Sequence, residues 1–120
     1  MQSRINLRGV ARFAPGERLI HHAKHKAQFP GLTDIQYEEL ADVFLRRTPA
    51  LELLECERKK GDVLRYDTAT GEFGVLSATG IIRTYLKPVP CISLPVEIRT
   101  NCHGKPTNID YFNSECRKER

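Results

Sequence analysis

No apolar run in this sequence approaches the ~20 residues that a membrane-spanning helix needs, so no membrane span is expected. The start, MQSRINLRGVARF, is basic but has no long apolar centre, so it does not read as a signal peptide; any export would rely on a larger precursor or another machine. Tryptophan is absent. No CxxC pair occurs among Cys56, Cys91, Cys102 and Cys116, and adjacent Cys102 and His103 are poorly placed to hold one tetrahedral zinc. No metal or other cofactor is expected. Repeats and low-complexity tracts are missing too. In an oxidising compartment the cysteines can pair, and a Cys91–Cys102 or a Cys102–Cys116 staple of the tail is conceivable.

What is present is an ordinary globular composition, 40% hydrophobic and 28% charged, with a mean hydropathy of −0.44. Its 120 residues allow one domain with a modest core. The net charge of +4 is unevenly spread: residues 1–30 carry +5, residues 31–70 carry −3 and residues 71–120 carry +2. A one-sided positive field suits a polyanion such as RNA or DNA, although a solvated helix face yields the same count.

Residues 1–15 read as an irregular arm. A helix is expected from Pro15–Glu17 to just before Pro30-Gly31, with Leu19, Ala23 and Ala27 on its buried edge. A second helix follows in LTDIQYEELADVFLRR. Thr33 and Gln36 have capping-box spacing, Tyr37, Leu40, Ala41 and Phe44 form one apolar face, and Arg46 and Arg47 suit the negative end of the dipole. After Pro49 the period changes. The later half of LELLECERKK alternates, and GDVLRYD, EFGVLS and GIIRTYLKP follow, separated by TATG and SATG turns; this is a β-meander. The expected fold class is therefore α+β, with two N-terminal helices packed on a four-stranded antiparallel sheet. The single domain divides into the arm (1–15), a helical part (16–48), the meander (51–88) and a tail (89–120) whose NIDYFNSECRKER end forms a short packed element.

Two constellations carry chemical interest. LIHHAKHKAQF, residues 19–29, holds three of the four histidines. On a helix His21 and His25 share a face, Lys24 lies beside them, and His22 and Lys26 form a rotated pair. Histidines so spaced can be metal ligands, a surface pair, or a general acid and base, since imidazole titrates near neutral pH. No HExxH carboxylate or third ligand supports the metal. In GIIRTYLKP, strand alternation puts Ile81, Arg83, Tyr85 and Lys87 on one side and Ile82, Thr84 and Leu86 on the other. Arg83 and Lys87 around Tyr85 make a phosphate strip with a ring for stacking, which Arg65 and Tyr66 can extend if the register allows. Arg83 and Thr84 can serve one cleft only if the strand bulges or ends there. An exposed sheet face with ordinary cross-strand pairs accounts for the same residues.

The order of a KH-containing helix, a YxxLAxxFL helix, then RYD, GEFGV, GxIRTYxKP and a late DYF resembles the C-terminal toxin domains of bacterial polymorphic and contact-dependent inhibition toxins, of the barnase–EndoU–colicin–RelE-type nuclease group. The likeness covers roughly residues 19–113. It implies a barnase- or colicin-D-like fold and a metal-independent ribonuclease, often acting on tRNA, that leaves a 2′,3′-cyclic phosphate. It places catalysis on His21, Lys24, His25, Arg83 and Thr84, with either His21 or His22 as the earlier histidine of the motif. Substrate binding falls to Arg65, Tyr85, Lys87 and Tyr111. The implied partners are RNA and an acidic immunity protein, with no membrane and a monomeric chain. The implied setting is delivery within a larger secreted toxin and action in the cytoplasm of a target cell. The competing class is a non-catalytic nucleic-acid-binding module, and a third is a structural domain of a larger protein.

Overall fold

The computed structural model describes residues 10–119. The first nine positions of the expected arm lie outside that range. Its remainder is not irregular throughout: Arg12–Phe13 form a short strand, β1. Gly16, at φ 84°, then turns the chain into helix α1, Glu17–His25, where a side chain would be strained. Glu17 in the first turn and Lys24 in the last complement the helix dipole. A single 3₁₀ turn, Lys26–Gln28, leads out before Pro30.

Helix α2 spans Asp34–Arg46. Its capping box forms as the spacing predicts: the Gln36 amide donates to Thr33 Oγ1 at 3.1 Å, and the Thr33 amide donates to Gln36 Oε1 at 2.9 Å. Tyr37, Ala41 and Phe44 face inward, but Leu40 is 37% exposed and Leu45 takes the inward place.

The meander forms as four antiparallel strands, β2 (Leu53–Glu57), β3 (Val63–Asp67), β4 (Phe73–Leu76) and β5 (Ile81–Leu86). The expected four-stranded sheet is extended by β1, which pairs in parallel with the start of β5, so the open sheet is mixed and runs β1-β5-β4-β3-β2. A third helix, α3, Asn108–Cys116, occupies the end of the tail. The whole is α+β with three helices.

Helices lie on both sides of the sheet. Tyr37, Ala41, Phe44 and Leu45 of α2 pack with Val63, Leu76, Ile82 and Tyr85, joined by Phe13 and Phe29. On the other face Phe112 of α3 packs with Leu64, Tyr66, Phe73 and Val75. That double cover explains why every residue of β3 and β4 is buried. A bridge between Cys56 and Cys116 ties α3 to β2, and Cys91–Cys102 closes a loop in the tail. Of the two conceivable staples, the first is formed; Cys116 pairs with Cys56 instead of Cys102, because α3 lies against the sheet. Among the described residues no helix is long and apolar enough to cross a membrane.

Candidate functional site

Strand β1 pairs with β5 only at Ile81 and Ile82. Beyond that point the outer edge of β5 is covered by other means. The Tyr37 hydroxyl donates to the Tyr85 carbonyl. The Gln28 amide side chain grips Lys87 at both backbone groups, accepting from its N–H at 2.8 Å and donating to its carbonyl at 2.6 Å. Where β5 ends, the C-terminus of α1, the strand exit and the tail enclose a cleft of about 160 Å³. Lys24, His25, Leu86, Asn101, His103 and Tyr111 contribute to its wall.

His25 is 5% exposed, and its Nδ1 is buried with no hydrogen-bond partner. Burial pushes its pKa down to about 4, helped by the positive charge of Lys24 and by His21. The imidazole is therefore neutral at pH 7, and no protein group at Nδ1 selects its tautomer. His21 lies behind it, ring centroids 6.4 Å apart, stacked on Phe13 at 4.9 Å and outside the cleft wall. Burial lowers its pKa as well; Glu17, with Oε1 3.6 Å from Nε2, opposes the shift. His22 is a structural group: Nε2 sits 2.9 Å from the Leu32 carbonyl, and the ring packs on Tyr37.

These placements reverse the expected facing of α1. Leu19 and Ile20 are about 60% exposed, and Ala23 and Ala27 are exposed too. The imidazoles turn inward because the surface beneath them is aromatic and supplies a carbonyl acceptor, which suits flat rings with polar tips better than aliphatic chains.

The strand residues divide in an unexpected way. Strand β5 bulges: Val75 stands opposite Thr84 while Leu76 stands opposite Ile82, leaving Arg83 as the extra residue. Arg83 Nε donates to Asp62 Oδ1 at 2.9 Å, and its side chain stays half exposed. Ile82 and Tyr85 consequently share the helix α2 side, and the flat alternation of Arg83, Tyr85 and Lys87 is broken. Thr84 faces the α3 side with Val75. Neither Arg83 nor Thr84 lines the cleft.

Tyr85 is not an exposed stacking ring. It is fully buried, stacked on Phe29 at 4.9 Å, and its hydroxyl donates to Glu72. Burial and the Glu72 carboxylate hold that hydroxyl protonated. Arg65 is likewise wholly buried. Its guanidinium donates to Glu55 at 2.8 Å and to the carbonyls of Phe44 and Arg47 at 3.1 and 2.8 Å, closing the C-terminus of α2. Tyr66 is 7% exposed against Phe112, and Asp67 accepts from the amides of Ala69 and Thr70 in the following turn. The RYD run is thus scaffolding. Lys87 adjoins the cleft in sequence, but its ammonium lies over the Phe29 ring, 5.3 Å from the centroid.

Tyr111 does line the cleft, and beside it stands His103, the histidine outside the LIHHAKHKAQF run. The Lys105 amide donates to its Nδ1 at 3.1 Å, which puts the ring proton on Nε2, 2.9 Å from Asn108 Oδ1. Asn101, at φ 51°, donates from Nδ2 to the Lys24 carbonyl at 3.4 Å and ties the tail loop to α1. The signal for this part was the Cys91…Cys102-His103 spacing, since the staple that joins the two cysteines also delivers His103. Among the described residues no three His, Cys, Asp or Glu side chains gather as a metal site, and all four cysteines are in disulfides. The sequence matches no protein-family model and no curated protein.

Proposed function

We propose that this chain is a metal-independent ribonuclease of the barnase–EndoU–colicin–RelE type, with its reacting centre in the cleft between α1 and the tail. The observation that carries the reading is the buried, neutral His25 beside the Lys24 ammonium at the wall of a cleft large enough for part of a nucleotide. RNA cleavage of this kind needs a base for the ribose 2′-OH, a proton donor for the leaving 5′-oxygen and positive charge on the phosphorane. His25 is the base. Lys24 holds the phosphate and is the proton donor closest to hand. The product is a 2′,3′-cyclic phosphate. A base with a pKa near 4 is weak at pH 7, but a phosphate seated on Lys24 neutralises one cause of the shift and brings a negative charge near the ring.

His21 supports His25 through packing. Arg83, half exposed beside Asp62, and Lys87 serve the flanking backbone of a longer RNA such as tRNA. The setting is that of a toxin delivered to a target cell, whose immunity protein is acidic and covers the positive rim, where opposite charge speeds association.

The test is incubation of the purified chain with total bacterial RNA in EDTA, beside His25→Ala and His21→Ala variants assayed separately. The expected result is cleavage by the wild type and a loss of ~10²–10⁴-fold for His25→Ala. His21→Ala is expected to lose stability and retain cleavage when folded. Full activity of folded His25→Ala overturns the assignment. Salt-sensitive RNA binding with no cleavage by any form favours the binding-module reading.

A further inference from the structure

Two rings of the cleft have no part in that chemistry. His103 and Tyr111 stack face to face, centroids 4.5 Å apart and planes 22° apart. Each is held independently. His103 is fixed at both ring nitrogens, by the Lys105 amide and by Asn108. Tyr111 rests edge-on against Phe73, 5.1 Å away, on the far side of the sheet from α1. The rings are therefore set before any ligand arrives, so ordering them costs little on binding. Leu86, Pro88 and Val89 add an apolar wall, and Lys24 with His25 provides the charged one.

A flat aromatic platform, an apolar wall and one ammonium match the parts of one nucleotide: the base face, the C–H side of the sugar and the phosphate. Stacking of this kind is available only to an unpaired base, because neighbours already cover both faces of a paired one. Extruding a paired base from a duplex, moreover, opposes binding. We propose that the cleft receives a single unpaired nucleotide, its base on the His103–Tyr111 stack and its phosphate toward Lys24, so that the substrate is a single-stranded or looped stretch of RNA. The proposal rests on the ribonuclease reading for the identity of the polymer, and its test does not depend on cleavage.

The probe is a short 2′-O-methyl oligoribonucleotide, which has no free 2′-OH and cannot be cut, titrated into the full chain and followed by the ring-proton NMR signals of His103 and Tyr111. The same sequence closed into a duplex is the comparison. Upfield movement of both ring signals with the single strand, and clearly weaker binding of the duplex, is the expected result. Tyr111→Leu keeps apolar bulk against Phe73 and is expected to weaken binding by about 5- to 100-fold. Lys24→Ala is expected to lower the salt slope by about one charge. No binding, unmoved ring signals on binding, or equal affinity for the duplex overturns the pocket. If the rings move but natural RNA is never cut, the pocket stands and the ribonuclease reading falls. If RNA is cut while the rings stay unmoved, the reverse holds.

Discussion

His25 and Arg65 show how differently buried polar groups behave in one small domain. His25 has no partner at Nδ1, so the fold carries it only as the neutral base. Its folded pKa of about 4 lies below the ~6.5 of an unfolded histidine. Between those values the unfolded chain binds a proton that the folded chain does not. Stability therefore falls as pH drops from 6.5 toward 4, by about 3 kcal/mol from this group. His21 is shifted in the same direction and adds to the slope. Urea unfolding at pH 7 and at pH 4.5 should show this loss, and His25→Gln should flatten it; an unchanged slope in the variant would place the titration elsewhere. The same group governs the acid limb of activity. In kcat/KM, which reports the free enzyme, the limb should fall near pH 4, and in kcat it should move upward because bound phosphate favours the imidazolium. Arg65 is the opposite case, with three acceptors around one guanidinium. Arg65→Met keeps much of the volume but leaves Glu55 and the last carbonyls of α2 without their donor. A loss of about 3–5 kcal/mol in urea unfolding is expected, whereas an exposed phosphate-binding arginine would cost almost nothing.

Elements that depend on local chemistry were legible in the sequence, and those that depend on what lies opposite were not. The Thr33–Gln36 capping box, the two Gly-containing hairpin turns and the four meander strands are specified within a few residues of themselves. Strand β1 has two residues and no period, so nothing in its own sequence distinguishes it from an arm. The facing of α1 failed for a related reason: hydrophobicity counts favour Leu19 and Ala23, but Phe13, Tyr37 and the Leu32 carbonyl select His21 and His22. Of the expected site residues Lys24, His25 and Tyr111 line the one cleft, Tyr85 and Arg65 are buried away from it, and His103, weighed in the sequence only as a poor zinc ligand, joins them. The glycine of GEFGV has a similar long-range cause. A Cβ at Gly74 would lie 2.9 Å from Leu45 Cδ2 and 3.3 Å from its Cγ, where α2 sits on β4. Leu45 is fully buried and has little space to withdraw. Gly74→Ala is expected to cost about 1–3 kcal/mol by overpacking, read as a lower urea midpoint, and a neutral effect would mean that α2 can lift from the sheet freely.

At the scale of the molecule the two disulfides divide fold from site. Cys56–Cys116 spans 60 residues and holds α3 on the sheet, and by the chain-entropy relation such a loop contributes about 4 kcal/mol. Cys91–Cys102 spans 11 residues, for which the same relation yields about 3 kcal/mol. Yet the shorter bridge delivers Asn101 and His103 to the cleft, while Pro90 and His103 pair beside it. Removing each bridge as a paired Cys→Ala variant should therefore separate the two properties. The Cys56/Cys116 pair is expected to lower the melting temperature more. Its remaining folded fraction keeps the cleft, because Phe112 and the Arg58–Glu115 contacts still seat α3. The Cys91/Cys102 pair is expected to lower the melting temperature less and to weaken binding of the single-stranded probe more, since the loop carrying Asn101 then loses its closure. Equal effects of the two pairs on binding would show that the backbone hydrogen bonds from Cys91 to His103 and from His103 to Val89 suffice to hold the strap. In a reducing compartment both bridges open, so the same comparison measures how much of the site survives there.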